Sequence, residues 1–414
     1  MQDNKNNTEK YIIKKRFGVG NFNVFKIEAN SRLKRAVLLG LEIYSLEDNY
    51  THRIQKILGN LITTLKTKNQ EKEEKSVKLF NLNISKRIFE NNIYTYYFLN
   101  IPYKKRDERK VIYNKIFKNI KNEYDDIYIL NSNSGEMFLF FAYLAKNFLE
   151  KNNSKNPLFV ALDDYHKDII EIFFPKANYI NCNNLKITTT DNSFTYGKNR
   201  FFICFSKKHF EKTECAIQSN ASHYFTEIKD TLGLTNENEP TISYEKEVDD
   251  NLIKKLNVIK LNLDNFILLA PEARSCKEIP ISFWENLAKK LKEKGYDVYL
   301  NIINSNNKIN GLKSTKLNLK EIFYLAKKAR AIVSLRSGLS EFLLPTKTPN
   351  FAIYTPFRRI KNSSFKVETL INGFSMHKIP FVDNSKIKEF NYEKYQTSDE
   401  LINEILNNID ILGE

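Results

Sequence analysis

Ile127-Tyr128-Ile129-Leu130, then Asn131-Ser132-Asn133-Ser134-Gly135-Glu136, then the apolar run from Met137 to Glu150: these residues set the architecture of most of the chain. Four consecutive apolar residues between polar neighbours read as a buried strand. The run from Met137 is long enough for a helix, and Gly135 permits a tight turn between the two. The same alternation continues downstream. Pro157–Leu162 reads as a strand, Tyr165–Phe174 as a helix stopped by Pro175, and Tyr179-Ile180 and Arg200–Phe205 as further strands. Strands alternating with helices imply a parallel sheet covered on both faces. Ala221–Leu232 reads as a helix capped by Gly233, and the polar stretch Thr235–Pro240 as a linker.

A second α/β unit follows. Asn265–Ala270, Asp297–Ile302, Ala331–Ser334 and Phe351–Tyr354 read as strands, with helices at Ser282–Lys294 and Leu319–Ala329 and a terminal helix at Ser398–Ile409. Two such units in tandem form a cleft between the carboxyl ends of their strands, where open α/β sheets bind ligands.

Upstream of residue 110 the pattern differs. Ala36–Tyr44, Ile54–Ile62 and Tyr96–Tyr103 each run from an apolar strand through Gly40, Gly59-Asn60 or Asn100 into a second short strand. Gly and Asn tolerate the positive φ of a hairpin turn, so three β-hairpins are predicted. Lys66–Lys78 reads as a charged loop or exposed helix. Lys104–Asn122 reads as a basic helix with Val111, Ile112, Ile116, Phe117 and Ile120 on one face, suited to packing on its own domain or to lying on a membrane surface. The expected organisation is a hairpin-repeat accessory region over 1–110 followed by this linker helix, one Rossmann-like domain over 111–240, a second over 241–385, and a C-terminal helix over 386–414.

The chain has 414 residues, 42% hydrophobic, with a net charge of +16. That apolar content supports packed cores and excludes a disordered chain. Its excess of Lys suits phosphorylated substrates, nucleic acid or anionic lipid. No helix-turn-helix, zinc finger or aromatic-basic RNA motif accompanies it, so nucleic acid is not an expected partner. Cys182, Cys204, Cys215 and Cys276 form no CxxC pair and no Cys/His cluster with zinc spacing, which suggests buried thiols in a reducing compartment. Met1–Lys15 is polar and unlike a signal peptide, and Met137–Leu149 is too short to span a bilayer. A cytoplasmic protein is expected, at most peripheral at the inner face of the cytoplasmic membrane.

Ser334-Leu-Arg-Ser-Gly-Leu-Ser-Glu341 follows a strand and opens a helix. Free N–H groups at Ser337 and Gly338 would favour an anion, and Arg336 would neutralise a diphosphate. The same residues also read as a Ser/Gly cap with a solvated Arg. Pro271-Glu-Ala-Arg-Ser275 follows the first strand of the same unit and would bring Arg274, Ser275 and Lys277 to the same edge, unless it is a plain surface turn. In the first unit Glu136 would stand near a helix N-terminus, placed to take a proton, or would only favour the helix dipole. Asp163, Asp164 and His209 follow strands on that edge and are rival bases.

The stretch from about 126 to 385 resembles the heptosyltransferase family of lipopolysaccharide assembly, which has the GT-B fold. In that family the first domain opens with a strand, a Ser/Gly-rich loop and Gly-Asp, the Asp being the proposed base; Ser132-Asn-Ser-Gly135-Glu136 is similar, with Glu for Asp. Ala270-Pro-Glu-Ala-Arg274 and Phe283-Trp284 resemble the opening of the second domain. The donor loop Asp-Ser/Thr-Gly-x-x-His has its counterpart in Arg336-Ser337-Gly338-Leu-Ser-Glu341, followed by Pro349 and the strand ending Tyr354-Thr-Pro356. Asp has become Arg and His has become Glu. Similar hairpin repeats stand beside glycosyltransferase domains of capsule and lipopolysaccharide loci.

The resemblance implies an inverting, metal-independent glycosyltransferase without a cofactor. Its substrates would be a nucleotide-sugar donor and a bacterial surface glycan or glycolipid acceptor, reached through peripheral contact with the inner membrane. Arg274, Ser275, Lys277, Arg336, Ser337, Gly338, Glu341 and Tyr354 would form the donor side, with Glu341 on the ribose diol, and Glu136 would be the base. No Asp-x-Asp metal motif stands in a matching place. The alternative class is a non-enzymatic binder of nucleic acid or an anionic membrane surface.

Overall fold

The computed structural model describes residues 12–412, apart from 20–21, 30–32, 39–40, 49–51, 59–60, 69–71, 119, 121–123, 188–191, 206–216, 218–221, 244, 303–308 and 358–365. The chain divides into two compact units, residues 1–115 with 187–190, and residues 116–186 with 191–414.

The first unit is one antiparallel sheet of ten strands paired in sequence order. These are β1 (Ile12–Val19), β2 (Phe22–Ala29), β3 (Leu33–Leu38), β4 (Leu41–Asp48), β5 (His52–Ile57), β6 (Ile62–Lys68), β7 (Lys72–Leu79), β8 (Leu82–Glu90), β9 (Ile93–Phe98) and β10 (Ile101–Asp107). The three expected hairpins are β3–β4, β5–β6 and β9–β10, within a longer meander. The described residues of Lys66–Lys78 are strand rather than loop or helix. They hold the end of β6 and most of β7, whose charges pair across strands, Lys66 with Glu73 at 3.3 Å and Lys86 with Glu74 at 3.1 Å. Arg87 lies over the Tyr94 ring at 4.8 Å and Lys104 over Tyr96 at 5.9 Å, so the sheet is held by cross-strand pairs. The basic helix is shorter than expected. Lys104–Asp107 belongs to β10, and α1 runs Glu108–Phe117 with Ile112 and Ile116 buried, so its apolar residues are spent on packing.

The second unit holds two five-stranded sheets. The first is ordered β13 (Asn178–Asn181), β12 (Pro157–Ala161), β11 (Asp126–Leu130), β15 (Asn199–Cys204), β14 (Ser193–Tyr196), all parallel except β14. After β11 the chain enters α2 (Ser134–Leu139), a π-helical turn (Phe140–Leu144) and α3 (Ala145–Lys151); α4 (Asp164–Phe173) follows β12 and α5 (Tyr224–Thr231) follows β15. Gly233, at φ 64°, ends the turn after α5. An additional helix, α6 (Lys246–Val258), leads into the second sheet.

That sheet is ordered β17 (Asp297–Leu300), β16 (Phe266–Ala270), β18 (Ala331–Leu335), β19 (Asn350–Tyr354), β20 (Ile387–Asn391), all parallel. The helices α7 (Ile281–Glu293), α8 (Leu319–Ala326), α9 (Gly338–Phe342), α10 (Val367–Phe374) and α11 (Ser398–Leu412) complete it. The fifth strand, β20, lies beyond residue 385, where the sequence reading ended the domain. One buried apolar cluster runs from Tyr128, Phe138 and Phe159 to Phe323, Phe342 and Tyr354, joining both sheets in a shared core.

Strand order fixes where a ligand can sit. In the first sheet the order reverses between β11 and β15, and in the second between β16 and β18. Connections leave for opposite faces at these points, which opens a crevice outside the carboxyl ends of the strands.

Candidate active site

Both crossing points carry the loops singled out from sequence. Asn131–Glu136 leaves β11, Pro271–Lys277 leaves β16 and Arg336-Ser337 leaves β18. The first and third meet. A Cβ on Gly338 would lie 2.8 Å from the Gly135 nitrogen and 3.0 Å from its Cα, and one on Gly135 would lie 2.9 Å from Glu341 Oε2. The starts of α2 and α9 therefore touch backbone to backbone, a distance only glycine permits. Gly338→Ala is expected to cost about 1–3 kcal/mol in denaturant unfolding, the usual result of overpacking where backbone cannot yield. An unchanged midpoint would show that the two loops stand apart.

Around this contact the first loop is held from below. The Ser132 carbonyl accepts from the Tyr165 hydroxyl at 2.8 Å and from His166 Nε2 at 3.1 Å. The Leu162 amide donates to His166 Nδ1 at 3.1 Å, which fixes the neutral Nε2–H tautomer; burial lowers this ring to about 4. Glu136 is half-buried in the first turn of α2. Its carboxyl is pushed up to about 7, first by desolvation and further by the charge of Glu341, against the pull of Ser132 and Arg336.

Arg336 is not a solvated cation. It is buried, its Nη2 pairs with Glu341 Oε1 and donates to the Phe374 carbonyl at 3.3 Å, and its guanidinium lies 5.0 Å from the Phe374 ring and 5.7 Å from that of Tyr224. Glu341 is buried too, and desolvation raises its carboxyl while Arg336 and the Tyr224 hydroxyl oppose the rise. The start of α9 is largely engaged. The Leu339 amide donates to Ser337 Oγ at 3.3 Å, the Ser337 amide to Ser340 Oγ at 3.1 Å and the Ser340 amide to the Ser337 carbonyl at 3.0 Å. Tyr354 is also buried and donates to Glu389 Oε1 at 2.5 Å; that carboxylate further accepts from Ser375 Oγ and the Met376 amide, each at 2.7 Å.

Arg274, Ser275 and Lys277 are exposed. Their loop is anchored where the Lys277 amide donates to the Pro356 carbonyl at 2.7 Å and Thr355 Oγ1 to the Lys277 carbonyl at 2.6 Å. Burial raises the Tyr165 hydroxyl to about 12, and the charge of Arg274 opposes that rise. Asp163 caps α4, accepting from the Asp164 amide at 2.9 Å, and Asp164 accepts from Asn183 Nδ2 at 3.0 Å; both are exposed. His209 lies outside the described residues. Tyr224, Phe374, Glu389 and His166 carry no sequence signal, since each is a single ordinary residue within or at the end of an element. Among the described residues no group of His, Cys, Asp and Glu could hold a metal ion, and no helix is long and apolar enough to cross a membrane.

Paired doubly wound sheets with their crossing-point loops in contact define the GT-B class. Residues 216–388 match glycosyltransferase family 9 (heptosyltransferase), so the chain carries a glycosyltransferase domain. No curated protein matches it. Among solved structures, a family 9 glycosyl transferase of Veillonella parvula is similar with a TM-score of 0.43 and 9% identity, over 71% of this chain and 98% of that one. The E. coli ADP-heptose lipopolysaccharide heptosyltransferase II aligns at 0.40 and 12%, over 69% and 98%. The iron-containing dodecameric glycosyltransferase TibC of enterotoxigenic E. coli aligns at 0.42 and 14%, over 89% and 93%.

Proposed function

We propose that the chain is an inverting, metal-independent glycosyltransferase that moves a sugar from a nucleotide-sugar donor to a bacterial surface glycan, of lipopolysaccharide, lipooligosaccharide or capsule. The observation that carries this reading is the meeting of two crossing-point loops around Glu136, a carboxyl raised to about 7. A base is most effective when its pKa lies near the working pH. In the proposed reaction Glu136 takes the proton of the acceptor hydroxyl as its oxygen bonds to the anomeric carbon. The bond from that carbon to the donor diphosphate breaks on the opposite side. Arg274 and Lys277, exposed on the neighbouring loop, neutralise the departing diphosphate. Arg336 and Glu341, spent on each other, act as positioning residues that hold α9 against α2, and Ser337 and Gly338 line the junction. Tyr354 orients Glu389 toward the donor side.

Thermal-shift measurements against a panel of nucleotides and nucleotide sugars test the donor half. Binding at 100 times Kd should stabilise the fold by about 2.7 kcal/mol. Arg274→Ala with Lys277→Ala is expected to weaken a binding nucleoside diphosphate about 10–100-fold while leaving the unliganded melting temperature unchanged. Undiminished affinity in the folded double variant would move the diphosphate elsewhere.

A further inference from the structure

In a ten-stranded meander every connection from an odd to the next even strand falls at one end of the sheet. At that end large apolar side chains face solvent beside the turn residues Asn81 and Asn100. Leu41, Leu58, Phe80, Leu82, Leu99 and Ile101 are between 51% and 73% exposed. The tips are stitched into one row, since the Leu58 amide donates to the Ile43 carbonyl at 2.8 Å, Phe80 to Leu61 at 2.9 Å and Leu99 to Ile84 at 3.1 Å. An apolar row of this kind on a soluble surface marks an interaction site.

Backbone conformation argues that these side chains do not serve the fold. Phe80-Asn81 has φ of 46° and 64°, and Leu99-Asn100 has 46° and 66°. Asn91-Asn92, at the opposite end of the sheet, makes the same two-residue turn with φ of 50° and 63°. Asn enters the left-handed region readily, whereas a bulky apolar residue does so at a cost. Phe80 and Leu99 therefore occupy positions where Asn would be both cheaper in backbone terms and better suited to water.

The charges near the tips are mostly basic. Within three residues of those six tip side chains stand Lys56, Lys78 and Lys104, with Glu42 as the one carboxylate. The opposite end mixes both signs, with Lys34, Arg53, Lys66, Lys68 and Lys72 among Glu47, Asp48, Glu73, Glu74 and Glu90. Tyr96, Tyr97 and Tyr103 lie just behind the tips. Apolar tips backed by Tyr and Lys are the pattern of a surface that enters the interface of an anionic bilayer. A second copy of the same row, set against it, would bring like charges together.

We infer that the hairpin tips Leu41, Leu58, Phe80, Leu82, Leu99 and Ile101 form a docking edge for an anionic lipid bilayer. The inference rests on the proposed function only for its purpose, access to a lipid-linked acceptor, and its test needs no donor. The full chain should co-sediment with phosphatidylcholine vesicles containing phosphatidylglycerol and at least about tenfold less with phosphatidylcholine alone, with binding falling as salt is raised. Phe80→Asn with Leu99→Asn should reduce that partition at least about tenfold. The same variant should melt at the same temperature as the parent or higher, and should keep any shift caused by nucleotide sugars. A side chain that mattered only to the fold would lower the melting temperature instead. No partition of the parent chain at low salt, or equal partition of the variant, overturns the inference. So does a dimer that the variant abolishes in the absence of vesicle binding, which would assign the edge to a second copy. Loss of nucleotide-sugar shifts in a parent chain that still binds vesicles would count against the proposed function and leave this inference standing.

Discussion

Glu136→Gln is expected to cut turnover by about 10²–10⁴-fold, the usual contribution of a placed general base, while leaving donor affinity nearly unchanged. Gln keeps the shape and removes the basicity. The position of the carboxyl makes a second effect follow with the opposite sign. Burial raises Glu136 from an ordinary 4.5 to about 7 in the folded chain. The folded state thus prefers the protonated form, so the stability linked to this group is complete below its unfolded value and is lost as pH rises through about 7. Gln resembles the protonated acid and escapes that loss. The variant should therefore melt higher than the parent above neutral pH, and by little below about pH 4.5, while turning over far more slowly. A variant with normal turnover would pass the role to Asp163 or Asp164, which the structure places exposed at the start of α4, or to His209.

Arg336→Ala is expected to destabilise the fold by about 3–5 kcal/mol, because it leaves the Glu341 carboxylate buried without its partner. A role for Arg336 as a diphosphate ligand would instead give a loss of nucleotide affinity with folding almost untouched. Three neighbours favour the first outcome. Glu341 and the rings of Tyr224 and Phe374 enclose the guanidinium, so its charge is spent within the protein. Arg336→Met combined with Glu341→Leu should be less destabilised than either single substitution, since no unpaired charge remains. Denaturant unfolding of the three variants measures this cycle. Additive losses would show that the two side chains do not depend on each other.

The α/β half was legible because its signals are local. Runs such as Ile127–Leu130 and Phe266–Ala270 are buried on both faces of a parallel sheet and are apolar throughout, and glycines mark the ends of helices. The ten-stranded sheet was legible only in part. Charges interrupt many of its strands, so β7, with Lys72, Glu73, Glu74 and Lys75, looks like a charged loop until its partners are known. The site was legible as far as its loops. Which strand-to-helix junctions matter could be read from Gly135 and Gly338. That these two glycines touch could not, since their contact depends on how two sheets pack. The fate of Arg336 turned on the same fact. A cation beside a helix start points to an anion, and the anion proved to be Glu341, five residues further on.

The central claim is that the junction of α2 and α9 is a site of glycosyl transfer with Glu136 as its base. Its most direct test is the release of nucleoside diphosphate from a panel of nucleotide sugars in the presence of glycan acceptors, followed from about pH 5 to about pH 9. The account predicts acceptor-dependent release with at least one donor, at a rate that rises with pH through a limb near 7, a limb that Glu136→Gln removes along with most of the rate. Folded protein that releases nucleoside diphosphate with no such limb, and with Glu136→Gln as active as the parent, would contradict it.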